Sequence, residues 1–93
     1  MLSVGKKRLA MTQNEVFQKA REIIADNLGR SADSITMEMD FKNDLGADLV
    51  DIEQLVTDFE DKFGLPHIDE EDAMNIKTVG DAVIYVTNEL ENQ

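Results

Sequence analysis

The chain has 93 residues, 42% of them hydrophobic and 31% charged, which is the composition of one small folded domain rather than of a disordered tail. Twenty Asp and Glu against nine Lys and Arg give a net charge of −11, so the basic face that nucleic-acid phosphates require is missing and no nucleic-acid partner is expected. The absence of Cys excludes disulfides, thiolate metal sites and cysteine nucleophiles, and no apolar run approaches the roughly 18–20 residues that span a bilayer.

The first residues, MLSVGKKRLA followed by Met11, differ from what comes after: Lys6, Lys7 and Arg8 stand together and no acid is present. Residues 1–11 read as an upstream extension, frayed or added to the domain. A secretory signal is not expected, because no apolar core of about 7–15 residues follows the basic cluster. From Thr12 onward, residues 12–93, six basic residues face 20 acidic ones, a net charge of −14.

Thr12 with Glu15 three residues later is a capping-box pattern and starts the first helix. Val16, Ala20, Ile23, Ile24 and Leu28 recur at spacings of three and four, and Gly29 suits the position past a helix end, so the helix is expected over Asn14–Asn27. Arg30 to Ala47 is rich in Ser, Asp, Asn and Gly and is expected to be a long loop, pinned to the core by Phe41 and Leu45. Asp48 should cap the second helix by accepting from the backbone N–H groups of Val50 and Asp51, with the Asp51 charge favourable in the first turn. Ile52, Leu55, Val56, Phe59 and Phe63 follow at helical spacing, and Gly64 and Pro66 end the segment. Asp69–Ile76 is expected to be a short third helix of about two turns. Thr78 and Asp81 repeat the capping pattern ahead of a last helix with Val79, Ala82, Val83, Val86 and Leu90 on its buried stripe. The sum is an all-α four-helix bundle with three long helices, one short helix and a long first connection.

The segment Asp44-Leu45-Gly46-Ala47-Asp48-Leu49-Val50-Asp51 resembles the attachment motif of acyl carrier proteins of the fatty-acid-synthesis type, in which Asp-Leu-Gly-Ala-Asp precedes Ser, an aliphatic residue and Asp. The resemblance runs from Thr12 to Leu90 and includes Phe41, the Leu55, Phe59 and Phe63 series, Asp69-Glu70-Glu71, and Ile76-Lys77-Thr78-Val79. It implies a carrier and not an enzyme: a phosphopantetheinyl transferase attaches 4′-phosphopantetheine to the serine, and the thiol of that arm holds acyl chains for partner enzymes. A helix start suits the phosphodiester because backbone donors and the helix dipole meet there. Asp48 and Asp51 fix the register, so the serine position is Leu49, which has no hydroxyl; no 4′-phosphopantetheine is expected on this chain.

The resemblance also implies docking of basic patches on fatty-acid-synthesis enzymes and on the transferase, through Asp44, Asp48, Val50, Asp51, Glu60 and Asp61. Gln54 and Lys62 interrupt the usual acidic run. Phe59, Met74, Ile76 and Val83 are candidate lining of an acyl pocket, set against an ordinary core role. His67, the one histidine, reads as a turn residue. Asp69, Glu70, Glu71 and Asp72 lack the ligand spacing of a calcium loop, so no metal site and no catalytic residue is assigned.

Two readings of Leu49 compete: a substitution in an otherwise working carrier, which the intact surroundings favour, or a natural serine-less paralogue acting as a regulatory binding module. A carrier for polyketide synthesis or D-alanyl transfer is the alternative pathway. A cytoplasmic monomer without membrane insertion is expected.

Overall fold

Three capping boxes start the three long helices. The computed structural model describes residues 11–92; the basic extension, apart from Met11, lies outside the described residues, while Met11 is half-buried against the core. The Thr12 hydroxyl accepts from Glu15 N–H at 3.1 Å and the Glu15 carboxylate accepts from Thr12 N–H at 2.9 Å, which starts α1, Gln13–Leu28. Asp48 and Asp51 exchange the same pair of bonds ahead of α2, Leu49–Phe63, and Thr78 and Asp81 do so ahead of α4, Val79–Glu91. The first helix thus extends one residue beyond its expected bounds at each end, and α2 and α4 start directly after their expected caps.

The short helix is shorter than its sequence implies. α3 covers Glu70–Met74, with Asp69 outside it as the N-cap. Asn75 and Ile76 leave the helix because their N–H groups fold back onto the carbonyls of Asp72 and Ala73. Five residues cannot sustain a helix alone; Ala73, half-buried against the core, ties it down.

Nor is the first connection structureless. A 3₁₀ turn at Ala32–Ser34 closes with the Ile35 N–H on Ala32 O, and Ile35 is fully buried. Further on, Phe41 N–H donates to Lys77 O at 3.0 Å, Val79 N–H to Met39 O at 3.0 Å and Gly80 N–H to Met37 O at 2.8 Å, around an antiparallel bridge between Asp40 and Thr78. The loop thus supplies acceptors to the first N–H groups of α4, which have no partner inside that helix. Phe41 and Leu45 are buried as pins, as expected, and Ile35 and Ala47 join them.

The core is aliphatic. Val16, Ile24, Ile35, Val79, Val83 and Val86 are fully enclosed, with Leu55, Phe59 and Phe63 from α2 packed against them. Burying side chains of this size contributes about 1.5–3 kcal/mol each relative to exposure. α1 contacts both α4 and α2. Two polar ties fix α1 against α2: Asn27 donates to Asp58 at 2.8 Å, and the Lys19 ammonium donates to Lys62 O at 2.8 Å while lying 5.2 Å over the Phe63 ring. No helix among the described residues is long and apolar enough to cross a membrane.

Candidate functional site

The site is built around the start of α2. Asp40 organises the approach: its carboxylate accepts from the N–H groups of Lys42 and Asn43, and its own N–H donates to Asp44 at 2.8 Å. Gly46 then takes a left-handed backbone, φ 66°, which turns the chain so that Ala47 is buried while Asp48 is exposed. Asp48 accepts from Asp51 N–H at 2.9 Å, and Asp51 accepts from Asp48 N–H at 3.1 Å. The sequence also offered Val50 N–H as a donor to Asp48; the bond formed is the reciprocal one with Asp51. Leu49 is thereby the first residue of α2, and its side chain is 73% exposed. Val50 beside it is 71% exposed.

Behind this helix start lies a small cavity of about 40 Å³ with almost wholly apolar walls. Phe59 and Ile76 line it, with Phe41, Ile52, Val56 and Tyr85. Met74 and Val83 are placed elsewhere: Met74 is 71% exposed on α3 because that helix ends there, and Val83 is fully enclosed in the core, on the α4 stripe that packs among the helices. At ~10–15 Å³ per water, the cavity holds about three waters' worth of space. Burial, with the Glu89, Asp72, Asp69 and Glu60 charges behind it, pushes the Tyr85 hydroxyl above its ordinary value and keeps it neutral beside the cavity.

The acids assigned to docking divide by employment. Asp61 is exposed at the end of α2. Asp44, Asp48 and Asp51 each accept backbone N–H groups locally, so part of their hydrogen-bonding capacity is structural. Glu60 is the most committed: it accepts from Ile68 N–H at 2.7 Å and pairs with His67 Nδ1 at 3.3 Å, tying α2 to the connection before α3. His67 therefore lies in the connection between α2 and α3 with Glu60 as its partner.

Asp58 was passed over in the sequence. Its carboxylate is held below the usual range first by the Asn27 amide and then by the Gln54 amide and the Lys62 charge, against the opposing cost of burial. No local pattern announces it, because Asn27 is 31 residues away. Asp81 is also depressed, by the N–H groups of Lys77 and Thr78 that donate to it. No group of three or more metal-ligating side chains gathers among the described residues.

A helical bundle whose second helix starts in the open, framed by acids and backed by an apolar cavity, has the build of a carrier-type domain. Residues 18–86 match the family described as phosphopantetheine attachment site. The chain is similar to the solved acyl carrier protein of Enterococcus faecalis, with 40% identity over 85% of this chain and 99% of that one, at a TM-score of 0.70. It is similar also to the acyl carrier protein of Thermotoga maritima, with 32% identity over 86% and 92% of the two chains and a TM-score of 0.73. The chain belongs to the acyl carrier protein family. It is accordingly not itself an enzyme.

Proposed function

We propose that this chain is an acyl carrier protein of cytoplasmic fatty-acid or related lipid synthesis in a form that cannot hold 4′-phosphopantetheine, because Leu49 occupies the attachment position. The observation that carries the reading is the placement of Leu49: first residue of α2, well exposed, one step past the Asp48 cap and two before Asp51. An exposed N-terminal turn with free backbone donors fits a phosphodiester, but attachment through oxygen requires a hydroxyl and leucine ends in methyl groups. The residue present does not fit the group. Thr57 and Ser34 do not substitute: the Thr57 hydroxyl donates to Glu53 O two turns further along α2, and the Ser34 hydroxyl donates to Ser31 O in the first connection.

Incubation with coenzyme A, magnesium and a broad-specificity phosphopantetheinyl transferase should leave the intact mass unchanged. Leu49→Ser should acquire the mass of the arm under the same conditions. A Leu49→Ser protein that folds yet stays unlabelled while a standard carrier reacts in the same tube refutes the carrier reading and favours a binding module.

A further inference from the structure

Leu49, Val50 and Met74 are three of the four large apolar side chains exposed among the described residues. Leu49 and Met74, one from α2 and one from α3, border the same two shallow clefts on either side of the helix start. Both are exposed apolar side chains at the position where a carrier would present its arm. Exposed apolar clusters rimmed by polar residues mark interaction sites.

The rim says what kind of partner fits. On one side it carries Glu53, Glu60 and Glu70, of which Glu60 is paired with His67, leaving Glu53 and Glu70 facing outward. On the other side two lysines, Lys42 and Lys77, balance two acids. The complement is a face with an apolar socket that is basic over the α2–α3 side. A second copy is disfavoured because two chains of net charge −11 repel, and an anionic membrane surface repels the chain for the same reason. Resting on the carrier reading above, we infer that Leu49 is an apolar docking anchor through which this chain occupies and blocks the carrier-binding face of enzymes that serve arm-bearing carriers. A desolvated apolar side chain at the centre of a polar rim is where binding energy concentrates.

The test follows transfer of the arm from coenzyme A to a standard acyl carrier protein by a broad-specificity phosphopantetheinyl transferase, in the presence of rising concentrations of this chain. Wild type should inhibit competitively, and raising salt from about 50 to about 300 mM should weaken the inhibition. Leu49→Ala removes the anchor without adding a hydroxyl and keeps a strong helix former at the position; its inhibition constant should rise about tenfold or more. Ile84→Ala, which trims the fourth exposed apolar residue on α4 away from the clefts, should inhibit as wild type does. Wild type that does not slow transfer, or Leu49→Ala that inhibits equally well, overturns the inference. Labelling of Leu49→Ser judges the carrier reading separately: labelling together with undiminished inhibition by Leu49→Ala sinks the anchor alone, while its failure removes both.

Discussion

Phe59→Ala probes whether the cavity wall is packed as the fold requires. Phe59 is 5% exposed, lines the 40 Å³ cavity, and meets the Phe63 ring at a centroid distance of 5.6 Å with the planes tilted by 57°. Truncation loses about 3 kcal/mol of apolar transfer energy, at the upper end for a large side chain. It also loses about 1 kcal/mol from the aromatic pair, so the sum of about 4 kcal/mol falls inside the ~3–5 kcal/mol span of such changes. The void left behind adjoins an existing cavity, so neighbours on that side are not positioned to collapse into it. A domain of about 80 folded residues has roughly 4–12 kcal/mol of total stability, so the variant keeps between about 0 and 8 kcal/mol at 25 °C and unfolds at a markedly lower urea concentration. Urea unfolding followed by circular dichroism measures the loss from the midpoint, provided the slope is unchanged. Phe59→Leu, which keeps most of the volume, should cost less than about 1.5 kcal/mol. A loss below about 1.5 kcal/mol in the alanine variant would refute the reasoning, because a ring deleted that cheaply was never in close contact.

Acid should separate Asp58→Asn from wild type. The Asp58 carboxylate is depressed in the folded state, so its stabilisation is fully present above the ordinary carboxylate value and is lost as pH falls through the folded one. At pH 7 the variant should therefore be less stable by about 1 kcal/mol, and the gap between the two urea midpoints should shrink as the pH falls below the ordinary carboxylate range; a gap that stays constant refutes the assignment. Comparing the pair cancels the general relief of self-repulsion that acidification brings to so acidic a body. Gly80→Ala sets helix propensity, favourable by at most about 1 kcal/mol, against a methyl placed 3.1 Å from Met37 O. That carbonyl is held by the Gly80 N–H and by the flanking pairings of the loop with α4, so it cannot yield, and thermal melting should show net destabilisation; a raised melting temperature would show that the loop slides freely.

Local patterns in the sequence carried much of this structure. Thr12 with Glu15, Asp48 with Asp51, and Thr78 with Asp81 each satisfy donors three residues away, so the helix starts could be read without knowing what packs on what. The buried stripes followed from periodicity for the same reason. What escaped reading was non-local. The pairing of Asp40 with Thr78, the enclosure of Ile35, and the Asn27–Asp58 bond depend on segments brought together only by folding. Glu60 reads as one more helix acid, yet it is a tether, because Ile68 N–H and His67 return to it from the following connection. Met74 and Val83 carry apolar side chains that suit a pocket equally well in composition; only the end of α3 and the inward turn of α4 assign one to the surface and the other to the core.

The start of α2 also explains how a leucine can stand first in that helix at no cost to the fold. Both capping bonds run between Asp48 and Asp51, and neither uses the side chain between them. Leu49 contributes its backbone to the first turn while its side chain stays 73% exposed. The scaffold and the chemistry at this position are therefore separable: the cap places whatever side chain residue 49 bears, and the fold does not depend on which. Leu49→Ser should accordingly change stability by no more than about 0.5 kcal/mol, the usual span for exposed sites. Its melting temperature should stay within about 4 °C of wild type, since about 1 kcal/mol moves a domain this size by roughly 4–8 °C. A drop of 8 °C or more would show that Leu49 is held by its neighbours as part of the structure. Arm attachment and inhibition measured on variants of residue 49 would then report damage to the fold rather than the chemistry of the side chain.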